Sequence, residues 1–293
     1  MLICTQNKGR MLDMLKLWIC GANGQIGTAI NEVLNPLEFE VFNTDVDEVD
    51  VTNINEVMRY GDINRPDVII NCSGITHVDV CEEDPKLAFK VNALGARNLA
   101  IAASKINAKM VQLSSDDVFD GRSDKAYKEF DKTNPMTVYG QSKLAAENYV
   151  KEFTNRHFII RSTWVYGKGD NFVTKFLEKI DAGEDVSVAA DQYGSPTSAN
   201  ELAKFILHML QTNEYGTYHA TCKGNCSRYQ FAKEILVLTE KVAKVKAVPT
   251  QESDFSANRP TNAVLDNFIM SIVDVYDFPH WKNALYAYLK GEK

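Results

Sequence analysis

Tyr139 and Lys143 stand one helical turn apart in Tyr139-Gly-Gln-Ser-Lys143, and Ser115 lies upstream within Ser114-Ser-Asp-Asp117. A free phenol has a pKa of about 10 and is a poor acid at neutral pH. An ammonium four residues along the same helix face stabilises the phenolate, so the proton is easier to give. A hydroxyl at the end of a strand, Ser115, holds the other side of a reacting carbonyl. Ser115, Tyr139 and Lys143 together form the catalytic set that reducing a ketone with a nicotinamide cofactor requires.

Such a cofactor carries a diphosphate, and Gly21-Ala-Asn-Gly24-Gln-Ile-Gly27 is suited to it. Glycines allow a tight turn and let the backbone approach a pyrophosphate at a helix N-terminus. Ordinary strand-to-helix turns share this spacing, so the weight comes from the strand before it and the helix after it. Asp45 follows 21 residues after Gly24, at the end of the next strand. A carboxylate there accepts hydrogen bonds from the adenosine ribose and repels a 2′-phosphate, which tilts the reading toward NADH while leaving NADPH open. Asn71-Cys-Ser-Gly74 closes a third strand with small residues, as a flat cofactor against backbone demands.

The elements that must position these groups alternate. Strands are expected at Leu15–Cys20, Phe39–Asn43, Val68–Asn71, Met110–Ser114 and Phe158–Arg161. Helices are expected at Gln25–Leu34, Ile54–Tyr60, Pro85–Lys105 and Tyr139–Phe153. Apolar strands alternating with helices imply an α/β fold, a doubly wound parallel sheet of the Rossmann type that binds ligands beyond its strand ends. After about residue 166 the rhythm changes to mixed helices and short extended pieces punctuated by Pro196, Pro249, Pro260 and Pro279. The expected organisation is an N-terminal extension over 1–13, a dinucleotide-binding domain over 14–165 and a smaller α+β substrate lobe over 166–293.

With 293 residues, a formal net charge of −7 and no basic stripe, the chain is not a general nucleic-acid binder. It has no apolar run near the roughly 20 residues of a membrane span, and its start lacks a signal-peptide core. A cytoplasmic location is expected, and a homodimer is left open. Six cysteines, mostly inside apolar segments, read as reduced and buried thiols. Cys222-Lys-Gly-Asn-Cys226 is half of a zinc motif with no matching second half, and no metal site is expected.

Taken together, the glycine turn, Asn71–Asp79, Ser114-Ser-Asp-Asp-Val-Phe-Asp-Gly121 and Tyr139-x-x-x-Lys143 resemble the extended short-chain dehydrogenase/reductases. Arg161-Ser-Thr-Trp164-Val-Tyr-Gly167, Asn171-Phe172, Asp191-Gln-Tyr-Gly-Ser-Pro-Thr197 and Arg259-Pro-Thr-Asn262 narrow the likeness to the dTDP-4-dehydrorhamnose reductases. The resemblance implies NAD(P)H-dependent reduction of the C4 ketone of a 4-keto-6-deoxy sugar nucleotide. Tyr139 would protonate the alkoxide, and Lys143 would lower the pKa of Tyr139 and hold the nicotinamide ribose. Ser115 stands where the family has threonine and keeps the hydroxyl. By the same resemblance Gly21, Gly24, Gln25, Ile26, Gly27, Asp45, Asp50, Val51, Gly74, Ile75, Thr76, Tyr139 and Lys143 bind the dinucleotide. Ser115, Asp116 and Trp164 face the sugar.

Two departures fall near the expected sugar pocket. Asp117 replaces a family tyrosine, and the loop after the third strand reads Ile75-Thr-His77-Val-Asp79-Val80. Asp116-Asp117 also stands where sugar-nucleotide 4,6-dehydratases and epimerases carry an acid/base pair, which keeps that chemistry as an alternative. A third reading is a non-catalytic regulatory subunit that retains the cofactor fold.

Overall fold

The computed structural model describes residues 14–254 and 260–291. The expected extension over 1–13, with Cys4, and Arg259 lie outside the described residues. Six parallel strands form the central sheet: β1 (Leu15–Cys20), β2 (Phe39–Thr44), β3 (Val68–Asn71), β4 (Lys109–Ser115), β5 (His157–Ser162) and β6 (Gly216–His219). Their spatial order is β6-β5-β4-β3-β1-β2, so the chain reverses direction across the sheet between β1 and β3.

Alternation along each strand explains why both faces are apolar. Leu17, Ile19, Val68, Ile70, Val111, Phe158 and Ile160 point into one core, while Trp18, Cys20, Ile69, Met110 and Ile159 point into the other. Helices α1 (Gln25–Val33), α2 (Ile54–Asn64), α3 (Gly95–Ile106) and α4 (Val138–Phe153) cover these faces. The second half adds α5 (Phe172–Asp181), α6 (Ala199–Leu210) and α7 (Arg228–Thr239). Trp18 keeps its indole N–H satisfied in the core by donating to Thr44 Oγ1 at 2.8 Å.

Two features differ from the expectations. The helix anticipated over Pro85–Lys105 is broken: Pro85–Ala88 is α-helical, Phe89–Leu94 is π-helical and only Gly95–Ile106 continues as α3. The widened turn holds Asn92, which is buried and binds neighbouring segments rather than solvent. The division after residue 165 is also not a clean break in the chain. β6 returns to the sheet as its sixth strand beside β5, and α6 packs against α1 on the first domain. β6 is four residues long, and only its pairing of Gly216 with Phe158 reveals where it belongs. Outside the central sheet lie a three-stranded sheet (Tyr193–Gly194, Cys226–Ser227, Asn262–Ala263) and the parallel pair Val186–Ala189 with Val245–Val248.

A buried ion pair joins the sheet to α4. Glu147 is fully buried and accepts hydrogen bonds from Arg161 Nε at 2.8 Å and Nη2 at 2.7 Å, and from Ser114 Oγ at 2.6 Å. Burial alone would raise the carboxyl pKa, but Arg161, Ser114 and Lys151 outweigh it and hold Glu147 below its ordinary value. Removing one partner strands the other charge in the interior. Arg161→Met should therefore lower stability by about 3–5 kcal/mol. Urea unfolding at neutral pH reads this as a lower midpoint; a loss below about 1 kcal/mol would show the pair to be dispensable.

Candidate active site

The carboxyl ends of β1, β3, β4 and β5 reach one edge of the sheet, where Cys20 is level with Asn71 and Ser115 with Ser162. Ligands of doubly wound sheets bind at this edge, near the switch in strand order. A cleft of about 620 Å³ opens there, walled by both halves of the chain.

At its cofactor end, Gly21 adopts φ +73°, and a β-carbon on it would sit 2.7 Å from the Ser73 nitrogen. Only glycine permits that approach of the first turn to the loop after β3. Gly24 is the N-cap of α1, with no side-chain cap bond and no acid in the first turn. The helix N-terminus therefore presents backbone N–H groups and a positive dipole end suited to a phosphate. Gly24, Gln25 and Ile26 line the cleft with Gly74 and Thr76, whereas Gly21 and Gly27 pack against backbone beneath it.

Asp45 lies just beyond, where its carboxylate accepts from Asn23 N at 3.2 Å and Val46 N at 2.9 Å. Asp50 commits both oxygens to Thr52, accepting from its N–H and its hydroxyl at 2.9 Å each. Val51 is buried, and its carbonyl accepts from Asn98 Nδ2 at 3.0 Å. Asp45, Asp50, Val51 and Ile75 stand outside the walls of the main cleft. Ile75 is instead gripped by Asn92, whose Oδ1 accepts from its N–H at 2.8 Å and whose Nδ2 donates to its carbonyl at 3.1 Å.

The reaction end is built by the start of α4. Thr137 caps the helix, its Oγ1 accepting from Gly140 N at 2.9 Å. A β-carbon on Gly140 would lie 2.0 Å from the Asp117 carbonyl oxygen, so the first turn of α4 rests directly on the turn that follows β4. Tyr139, in that first turn, lines the same cleft as Ser115. Ser115, the last residue of β4, accepts from Asp117 N at 3.2 Å and donates to Asp116 Oδ1 at 3.1 Å. Ser142 donates to the Tyr139 carbonyl at 2.7 Å and accepts from Asn92 Nδ2 at 2.9 Å.

Tyr139 and Lys143 are buried, with 8% and 6% of their surface exposed, and both line the cleft. Burial draws the Lys143 pKa down to about 8, and the nearby Glu147 carboxylate only partly opposes it. Ser115, Asp116, Asp117, Trp164, Thr76 and His77 line the same cleft. The catalytic set and the sugar-facing set expected from the sequence are thus brought together in one place. Asp117, which departs from the family tyrosine, is buried in that wall. The unusual loop ends in a short helix, Val78–Glu83, whose Glu82 Oε1 accepts from Val138 N at 2.8 Å.

Sequence reasoning missed Asn92, Gly140 and Arg228. Asn92 is hidden inside an apparently continuous helix, and Arg228 enters the cleft from 64 residues beyond Trp164. Gly140 stands beside Tyr139 in the motif, yet only the nearby Asp117 backbone shows why it is glycine. Cys222 and Cys226 are buried thiols, each pushed up to about 12 by burial.

The RmlD substrate binding domain family matches residues 15–293, nearly the whole chain. The chain belongs to this family. The RmlD-type relatives include the dTDP-4-dehydrorhamnose reductase of Aggregatibacter actinomycetemcomitans, 34% identical over 86% of this chain and 91% of that protein. The crystal structure of the Clostridium acetobutylicum dTDP-4-dehydrorhamnose reductase is 41% identical, covers 94% of this chain and 99% of its own, and superposes with a TM-score of 0.91. The Bacillus anthracis dTDP-4-dehydrorhamnose reductase, solved in complex with NADP, is 37% identical over 95% of this chain and 100% of its own, with a TM-score of 0.92. The fold, with its Rossmann-type central sheet, is therefore shared with these reductases along essentially the full length. Among the described residues no helix is long and apolar enough to cross a membrane.

Gly140→Ala forces its new methyl into the Asp117 carbonyl, so α4 must shift away from Ser115. Overpacking of this kind costs about 1–3 kcal/mol, and a displacement near 1 Å lowers turnover by about 100-fold. Thermal melts and steady-state kinetics should show both losses; wild-type turnover in this variant would dissociate Gly140 from the site.

Proposed function

We propose that this protein reduces the C4 ketone of a 4-keto-6-deoxy sugar nucleotide, dTDP-4-dehydrorhamnose, with NADPH or NADH as electron donor. The observation that carries the reading is the placement of Ser115, Tyr139 and Lys143 in the wall of one cleft, beside a helix N-terminus without a side-chain cap. The residues fit a dinucleotide. The Gly21 turn is pressed against Ser73 so closely that a side chain is excluded, and the uncapped α1 suits a diphosphate. Gly24, Gln25, Ile26, Gly74 and Thr76 would hold it there, and Asp45, just beyond the cleft, would accept from the adenosine ribose, with Asp50, Val51 and Ile75 further out. When bound, the reduced nicotinamide supplies a hydride.

Tyr139 gives the phenolic proton to the sugar oxygen, and Ser115 donates a hydrogen bond to the same oxygen from the other side. The Lys143 ammonium stabilises the phenolate left on Tyr139 and binds the nicotinamide ribose. Asp116 and Trp164 face the sugar ring, and the lobe assembled mainly from residues after 165 holds the nucleotide. A location in the cytoplasm accords with its use of a soluble nucleotide sugar and a nicotinamide donor.

The test mixes purified protein, NADPH or NADH, and dTDP-4-dehydrorhamnose. One equivalent of reduced cofactor should disappear per ketone reduced. Product formed without net loss of NADPH would replace this reading by dehydratase or epimerase chemistry centred on Asp116 and Asp117. Cofactor binding without any turnover would favour a regulatory role. Tyr139→Phe should cut turnover by about 100-fold or more while cofactor binding persists; equal activity would remove Tyr139 from the mechanism. The ammonium is the active form of Lys143, so kcat/KM should decline as pH rises through about 8. Lys143→Arg, charged throughout, should lack that decline whatever its absolute rate; an unchanged pH profile would assign the limb to another group.

A further inference from the structure

One cation in the cleft has no part in the roles above. Arg228 opens α7, anchored by its own N–H donating to the Gln192 carbonyl at 2.9 Å and by the capping box of Ser227 and Gln230. Its guanidinium carbon lies 3.5 Å from the centre of the Trp164 ring and 4.8 Å from that of Phe172. Both aromatic rings are themselves fixed. Trp164 holds φ +47°, a left-handed conformation that costs a bulky residue of order 1–3 kcal/mol. Its indole leaves no room at Gly194, where a β-carbon would lie 2.5 Å from indole Cε2. Phe172 is stacked on Phe176 and Phe231, with ring centres 5.9 and 5.7 Å away. Four separate segments thus hold one guanidinium in place within the cleft.

We infer that Arg228 binds the diphosphate of the sugar nucleotide, an inference that rests on the activity proposed above. The substrate of that reaction brings a second diphosphate into a cleft whose α1 terminus already serves the first. Arg228 reaches the cleft from the start of α7 and lies over Trp164, the residue expected to face the sugar. Stacking uses the faces of the guanidinium, while its N–H donors lie in the plane and meet two phosphate oxygens in a fork. Among the described residues, the other cations along the wall are poorer candidates. Lys143 is buried beside Tyr139. Lys168 and Lys175 are solvent-exposed and lie 3.6 Å from Glu32 and 3.0 Å from Asp170. Exposed pairs of this kind contribute little and hold no fixed geometry. The Gly194 contact also gives a purpose to the Asp191–Thr197 segment: it shapes the space for the indole on which Arg228 rests.

Calorimetric titration with dTDP and with thymidine, which lacks the diphosphate, tests this directly. The wild-type protein should bind dTDP much more tightly than thymidine. Arg228→Met should weaken dTDP by at least about tenfold while leaving thymidine and NADPH affinities within about twofold, since a charge-assisted bidentate contact is lost. In turnover the same variant should raise KM for the sugar nucleotide more than it lowers kcat. Undiminished dTDP affinity in a variant that still melts normally and binds NADPH would overturn the inference. If Arg228→Met does not fold, Arg228→Lys keeps the charge but loses the planar fork and should still weaken dTDP severalfold; wild-type affinity there would also overturn it. Wild-type reduction of the ketone with no effect at Arg228 refutes this inference alone. Arg228-dependent dTDP binding without any reduction refutes the proposed activity instead.

Discussion

A lysine ammonium taken out of water must be compensated, and the part of this structure that matters for chemistry is arranged around that requirement. Lys143 keeps 6% of its surface, and burial draws its pKa down to about 8. Glu147, one helical turn further along α4, supplies the opposing charge, but it is buried more deeply still. Its own cost is met by two N–H groups of Arg161 from β5 and by the hydroxyl of Ser114 from β4. The charge on one helix face therefore draws the two adjoining strands into fixed register with it. Ser115, next after Ser114, is delivered to the cleft by the same arrangement.

Bringing Tyr139 into the cleft that Ser115 lines is a problem of placing a helix start rather than a side chain. Four contacts do this for α4. Thr137 caps the first turn, Gly140 allows it to touch the Asp117 carbonyl, Glu82 accepts from Val138 N, and Asn92 reaches Ser142. The π-helical turn at Phe89–Leu94 has a clear part in this, since Asn92 binds Ile75 and Ser142 at once. It ties the loop after β3 to α4.

The two halves of the chain are interleaved rather than strung in series. Trp164 lies two residues after β5; the chain then leaves the central sheet, returns as α6 and β6, and leaves again. The far wall of the cleft is consequently assembled from segments distant in sequence, with Trp164, Phe172, Gly194 and Arg228 meeting in one stack. Strain at Trp164 persists because neighbours on every side over-determine it.

The sequence by itself determined the parallel sheet, because apolar alternation and glycine turns are local signals, and strand and helix positions followed within a few residues. It also singled out Ser115, Tyr139 and Lys143, which the fold gathers in one cleft, since Tyr139 and Lys143 are related by helical spacing alone and Ser115 ends a strand. Only the tertiary structure decided the rest. β6 is too short to declare its partner, the π-helical turn shares its composition with an ordinary helix, and Asp50 has its carboxylate taken up by Thr52 in a way that spacing does not reveal. Arg228 is a lone arginine in sequence, and it gains meaning only where Trp164 and Phe172 close around it. The physical reason is the same throughout: periodicity reports which face of an element is buried, whereas contacts between distant segments depend on how the elements pack.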